Sequence, residues 1–499
     1  MWDSTAVHRS LSTGNKSSCP WSSAPGILRG LASWNPTSAK TGQIWGTRHS
    51  FGTGREKLRL ACKRYAVALP TRRSLKIGAL LLGCFLLMGS HNSPKKHAAP
   101  LADVSLTYTR IAVALGERDP DSIDYYYGPA EWVADIREHP PSLAHIRQSA
   151  LALIAELRNK PPTGGEAQRQ FLIGQLHAIA SRVDLLLGAH LTFDQETEAL
   201  FGVQVPPRYD QRRLAHIRSQ IDALLPGQGG LAERYSSFDQ RFTVPPDRLP
   251  AVMNRALQGC REQTLVYMSL PPGESVTVEY VHGKPWSAFS RYRGNFHSLI
   301  QINADFGLTV DQVLQLACHE GYPGHHAYNS LRELQLVRKH HLIEFMVQPT
   351  FSPQSLASEA AATFAIELAF PEPERTRFER NELFPLARLD PGKAELYGRV
   401  ERLVEALHPA EPVIARDYLD GNLEFVRAAW ALEAQVLMLH SEATLKYINE
   451  YRSYLTAYTL GRDMVADRVD DQPGRPAVAR WQSFEQEIEI KGAAAVCAP

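Results

Sequence analysis

The chain has 499 residues, 44% of them apolar, enough to bury a large core as one big domain or two. Its formal net charge of +1 hides an asymmetry, because residues 1–76 carry 13 Lys/Arg against 2 Asp/Glu and leave 41 against 51 in the remainder. That remainder is acidic, which speaks against nucleic acid as a partner, and with Cys19, Cys62 and Cys84 in the N-terminal part only Cys260, Cys318 and Cys497 are left, which is no disulfide framework.

Residues 1–76 are rich in Ser, Gly, Thr and Trp without apolar periodicity. They read as a disordered basic segment foreign to the native protein, with translation starting downstream, near Val67. A basic flank, Arg72-Arg73-Ser74-Leu75-Lys76, then leads into an apolar run from Ile77 to Met88 and the small pair Gly89-Ser90. This is the pattern of a signal peptide over residues 77–96 rather than a membrane span, which takes ~20 residues. Leu81-Leu82-Gly83-Cys84 also fits a lipoprotein-type anchor. Either version predicts an exported protein, periplasmic or envelope-anchored in a bacterium. Residues 97–490 should then form a mainly α domain with a small β-hairpin or sheet.

From Leu101 onward apolar residues recur at spacings of three and four, predicting helices over Leu143–Leu157 and Gln168–Leu187 with breaks at Pro140-Pro141 and Pro161-Pro162. No Gly-rich phosphate loop appears. Ahead of them Asp124-Tyr125-Tyr126-Tyr127-Gly128-Pro129 is an aromatic turn whose tyrosines, Tyr126 foremost, either line a substrate pocket or pack helices together. Further helix is expected over Pro206–Pro226, Ala232–Tyr235 and Arg248–Leu270. The period then changes to two: Val276–Val281 and His297–Asn303 alternate and read as strands. An edge strand just before a metal-binding helix can pair with an extended peptide, so Leu299, Gln301 and Asn303 are substrate-binding candidates; a buried hairpin strand is the other reading.

Thr309-Val310-Asp311-Gln312 is a capping box and predicts a helix start. That helix runs into Cys318-His319-Glu320-Gly321-Tyr322-Pro323-Gly324-His325-His326, which places three imidazoles and a carboxylate within eight residues. Imidazoles bind zinc, and a carboxylate beside the first ligand can act as general base. In the usual H-E-x-x-H helix the histidines lie one turn apart. Here the fourth position after His319 is Pro323, and in a straight helix His325 would be rotated by ~240° and His326 displaced by ~10 Å along the axis. Pro323 and Gly324 should therefore interrupt the helix and let His325 take the second ligand position, with His326 as a neighbouring group or the alternative ligand. Cys318, ~100° round the helix from His319, reads as a packing residue.

His319-Glu320-Gly321-Tyr322-Pro323-Gly324-His325-His326 resembles the H-E-x-x-P-G-H-H signature of the bacterial family catalogued as domain of unknown function 885, which is regarded as zinc-peptidase-like. Beyond the motif, Tyr328–Val347 reads as an amphipathic helix with His340-His341 on a solvated face. Ser352-Pro353 is a helix start. The helix that follows is aliphatic apart from Glu359 and Glu367, and a carboxylate there is costly to bury unless paired or coordinated. The family's E-G-W-A-L-Y-A-E segment is loosely similar to Glu359–Glu367, without the Gly-Trp pair and with one residue more between the glutamates. The resemblance points to Glu359 as the third zinc ligand and Glu367 as a supporting group.

Leu423–Ile448 is helical by pattern. Tyr451–Gly461 resembles the family's A-Y-x-x-G segment, and Tyr458, with Tyr454 next, is the candidate for stabilising an oxyanion. The whole implies a zinc-dependent hydrolase of peptide bonds with Glu320 as general base. Two alternatives stand: a zinc esterase or amidase on a small substrate, and a catalytically idle binding protein of the same fold.

Overall fold

Helices dominate because the three-and-four spacing persists through most of the chain. The computed structural model describes residues 101–159, 165–206, 209–283, 287–305, 307–472 and 474–488. The expectations for residues 1–76 and for the signal or anchor at 77–96 lie outside the described residues. The first half runs α1 (Leu101–Arg118), β1 (Ile123–Tyr126), α2 (Ala130–Glu138), α3 (Leu143–Asn159), α4 (Glu166–Leu186), α5 (Phe193–Phe201), α6 (Gln211–Leu224), α7 (Leu231–Asp239) and α8 (Leu249–Tyr267). Helices α1, α3 and α4 pack around Tyr108, Ile154, Phe171 and Leu172. The larger core gathers α8, the sheet and the following helices around residues such as Val252, Ile302, Val313 and Leu383.

The central sheet comprises β2 (Ser275–Val281), β3 (Ala288–Tyr292) and β4 (His297–Asn303) in the order β2-β4-β3. β2 runs parallel to β4, with Val278 opposite Ile300, and β3 runs antiparallel to it, with Ser290 opposite Ile300. This corrects the edge-strand expectation. β4 is central and both its edges are paired, so the backbone of Leu299, Gln301 and Asn303 is already engaged. Leu299 and Asn303 are buried, and the Gln301 amide donates to Glu279 (3.1 Å). The strand that sequence reading omitted, β3, is an edge.

After the sheet come α9 (Val310–Leu316), a π-helical turn (Ala317–Gly321), α10 (His325–Arg332), a second π segment (Glu333–Lys339), β5 (Val347–Pro349) and α11 (Pro353–Ala369). β5 pairs antiparallel with β1. The predicted single helix over Tyr328–Val347 thus ends at Lys339; His341 adopts positive φ and a 3-10 turn leads into β5. Leu423–Ile448 likewise divides into Phe425–Val436 and Ser441–Tyr451, because Leu437 and His440 take left-handed backbone conformations. Among the described residues no helix is long and apolar enough to cross a membrane.

A second correction concerns Cys318. Its sulfur points away from His319 into the core, as the helical angle requires, but it forms a disulfide there with Cys260 of α8, 58 residues earlier. The π turn is thereby tied covalently to α8.

Candidate metal centre

Two local features set the course of the chain through the motif. Thr309 caps α9: its hydroxyl accepts from the Gln312 amide nitrogen, and the Gln312 side chain accepts from Thr309 N (3.0 Å). At the other end the ladder widens into the π turn, a form that recurs at functional sites. The turn closes as Gly324 N donates to Cys318 O (3.0 Å). Only glycine fits there, because a Cβ on residue 324 would lie 1.9 Å from His319 O and 2.3 Å from Cys318 O. The chain then restarts as α10 with His325 first, and its ring sits edge-on to that of His319, centroids 4.7 Å apart. After the π turn the break starts a new helix with His325 at its head.

Helix α11 supplies the third group. Ser352 caps it, with Pro353 at the first position, and nearly every residue of the helix is buried. Glu359 projects between the two imidazoles. His319 Nε2 lies 3.4 Å from Glu359 Oε2, and His325 Nε2 lies 3.4 Å from Glu359 Oε1. Ligand atoms of His319, His325 and Glu359 all fall within 4.8 Å of one another, and all three residues are buried. These separations suit a metal better than hydrogen bonds: neighbouring donors around a tetrahedral ion with ~2.0–2.1 Å bonds lie about 3.4 Å apart, whereas a good N–H···O bond is nearer ~2.9 Å. Among the described residues Glu359 Oε2 has no hydrogen-bond partner.

Surrounding groups orient these donors. The Tyr454 hydroxyl donates to Glu359 Oε1 (2.9 Å), and Ser358 Oγ lies 3.2 Å from His325 Nδ1. Such outer hydrogen bonds fix ring orientation and raise ligand basicity. Further out, the buried Arg375 guanidinium bonds Asp311 of α9 through Nε (2.9 Å) and Glu405 (3.0 Å), pinning the helix that leads to His319.

Burial and mutual charge shift the proton affinities in opposite directions. Burial pulls His319 down to about 4, leaving a neutral imidazole. At His325 burial is outweighed by the Glu359 carboxylate, with Glu320 and Asp124 adding, and the ring is pushed up to about 9. Glu359 goes the other way: burial opposes its charge, but the two imidazoles hold it well below the usual carboxylate range. Glu320, next in chain to His319 and only 6% exposed, is pushed up to about 8, by burial first and by the Glu359 and Asp124 carboxylates after it.

The remaining sequence candidates divide. His326 is turned away from the cluster, with Nδ1 2.8 Å from Ser298 Oγ and Nε2 2.8 Å from Glu274 Oε2. Glu274 also accepts from Tyr322 (2.6 Å) and Arg261 (2.7 Å), so His326 anchors the break rather than joining His319. Tyr458 is half-buried with its ring 6.3 Å from that of His319, and its hydroxyl lies 3.4 Å from that of Tyr447. Glu367 is not beside the cluster: two turns along α11, it pairs with Arg462 (2.7 Å). Tyr126 does not face it either, since its hydroxyl donates to Pro129 O (3.0 Å) within its own turn. The residue of that turn that does act on the site is Asp124. Held by the Gln348 amide (2.8 Å), it is pushed up to about 6 by burial, and its charge is felt at His325, Glu359 and Glu320. The sequence signal for it was a carboxylate embedded among aromatic residues.

No protein-family model matches the chain, and no curated protein matches it. Two solved structures are similar to it. A candidate lipoprotein from Colwellia psychrerythraea shares 16% identity over 71% of this chain and 72% of that one, with a TM-score of 0.40. The M32 carboxypeptidase from Deinococcus radiodurans R1 shares 12% identity over 77% of this chain and 89% of that one, with a TM-score of 0.32. Likenesses this distant carry no argument, and the resemblance of the H-E-x-x-P-G-H-H motif rests on its own residues.

Proposed function

We propose that the protein is a zinc-dependent hydrolase of peptide bonds, with His319, His325 and Glu359 as the metal's ligands and Glu320 as general base. The observation that carries this reading is the pair of 3.4 Å edges from the two imidazole Nε2 atoms to one carboxylate, with a second buried carboxylate next in chain to the first ligand. Two histidines and a glutamate that leave further positions open are a catalytic rather than a structural zinc set. Bound there, zinc supplies Lewis acidity toward the scissile carbonyl and makes a water easier to deprotonate.

The chain's own groups do the rest. Glu320 accepts the proton of the attacking water and passes it to the leaving amine. Tyr454 keeps the Glu359 carboxylate aimed at the metal position. Tyr458, whose ring lies 6.3 Å from that of His319, is the group we assign to donate to the developing oxyanion. With β4 covered, the strand we assign to an extended substrate is β3, which packs against the π turn and has no strand hydrogen-bonded to its outer edge among the described residues. The Cys260–Cys318 disulfide suits an oxidising compartment, in line with export directed by residues 77–96.

The test is to incubate the zinc-loaded protein with a mixed peptide library and follow cleavage by mass spectrometry, with Glu320→Gln as control. The expected result is cleavage by the native protein and at least a ~10²-fold slower rate in the variant at unchanged zinc content. No cleavage, or equal rates in the two, would overturn the reading.

A further inference from the structure

The two histidines of the metal centre stand on different elements, His319 in the π turn and His325 at the head of α10, with Pro323 and Gly324 between them. One side chain outside the motif touches both sides of that break. Glu274 directly precedes β2, and its side chain is only 3% exposed. Its Oε2 accepts from the Tyr322 hydroxyl (2.6 Å) on the π-turn side and lies 2.8 Å from His326 Nε2 on the α10 side. Its Oε1 accepts from Nε (2.9 Å) and Nη2 (2.7 Å) of Arg261 on α8.

An ionised carboxylate only accepts, so His326 Nε2 carries a proton and donates a hydrogen bond to Glu274. Nδ1 is engaged with the Ser298 hydroxyl of β4 (2.8 Å), which leaves the ring no nitrogen for a metal. Hydrogen bonds to an ionised partner are the strong ones, and four donors converge here on one buried carboxylate. Arg261 also follows Cys260, whose disulfide to Cys318 ties the first part of the same turn to α8. Helix α8 thus holds the chain on either side of His319, through sulfur at Cys318 and through Glu274 at Tyr322.

We propose that Glu274 is a positioning residue of the metal centre: it clamps Tyr322 to His326 across the Pro-Gly break and so sets the spacing of His319 and His325 as metal ligands. The inference rests on the zinc reading of His319, His325 and Glu359, and is independent of the substrate. Glu274→Gln keeps the size of the side chain but turns an NH2 group toward donors on one side, where the carboxylate offers an acceptor. The clamp then opens without a cavity being made.

The experiment measures two quantities on the full-length protein: zinc affinity by competition with a chromophoric chelator, and the visible absorption of the cobalt(II)-substituted form, which reports ligand geometry. Wild type is set beside Glu274→Gln, Tyr322→Phe and the double variant. Expected are at least about tenfold weaker zinc binding in Glu274→Gln, in line with loss of an outer group of a metal site, and a smaller loss in Tyr322→Phe. Cobalt bands should shift in both, and the double variant should bind no more weakly than Glu274→Gln, because both changes open one clamp. Tyr322→Phe serves alone if Glu274→Gln does not fold. A role confined to stability would lower the unfolding midpoint and leave zinc affinity and the cobalt bands of the folded variants unchanged; that result, or additive losses in the double variant, would overturn the proposal. Wild type that binds neither metal would overturn the zinc site itself, and the clamp with it.

Discussion

Replacing Tyr454 by phenylalanine removes one hydrogen bond and little else, which makes it a sharp probe of the proposed metal centre. The ring keeps its edge contacts with Phe201 (6.1 Å), Phe351 (6.1 Å) and Tyr458 (5.8 Å), so packing survives. What is lost is the 2.9 Å donation to Glu359 Oε1 together with the 3.2 Å contact to Ser355 Oγ. A hydrogen bond to a charged group is worth about 1.5–3 kcal/mol. That corresponds to a ten- to hundredfold weaker hold on zinc, the range found for outer groups of metal sites. The assay is competition with a chromophoric chelator for zinc, wild type beside Tyr454→Phe, with circular dichroism to verify the fold. Unchanged affinity in a folded variant would refute the assignment of Glu359 as a ligand oriented by Tyr454.

Three other perturbations follow from the geometry. Gly324→Ala puts a Cβ against the His319 and Cys318 carbonyls, so the variant should lose zinc binding and unfold at lower temperature in a calorimetric scan. Glu411 is fully buried, neither of its carboxylate oxygens has a hydrogen-bond partner among the described residues, and burial pushes it up to about 8. A carboxyl raised in the folded state contributes stability below its unfolded value of ~4.5 and loses that contribution as pH rises through the folded value. Glu411→Gln should therefore match wild type near pH 5 and unfold a few degrees higher near pH 9, as read by fluorescence melts at the two pH values. Replacing both Cys260 and Cys318 by serine frees a loop of 58 residues and should cost at most about 4 kcal/mol in denaturant unfolding.

Much of the site could be read from the chain because its signals are local. The capping box at Thr309, the His-Glu pair, the Pro-Gly break and the serine-proline start of α11 each act over a few residues, and the structure has each where the pattern put it. The strand His297–Asn303 was legible for the same reason. Its neighbours were not. Alternation reveals which face of a strand is buried but not what lies along its edges, and β3 inserted itself as the partner that made β4 central. Cys318 repeats the lesson: helical geometry indicated its direction, while the partner 58 residues away on α8 left no mark. Asp124 reaches the site from β1, about two hundred residues before His325, by pairing of β1 with β5. Only tertiary structure could bring it there. Glu367 failed because two turns of α11 carried it to Arg462, a position along the helix rather than a face.

The most direct test of the central claim is elemental mass spectrometry of the purified protein, wild type beside His319→Ala and Glu359→Ala. The account predicts about one zinc per chain in wild type and its loss in both variants. Wild-type protein that holds no metal after loading with zinc, or variants that retain it, would contradict the account.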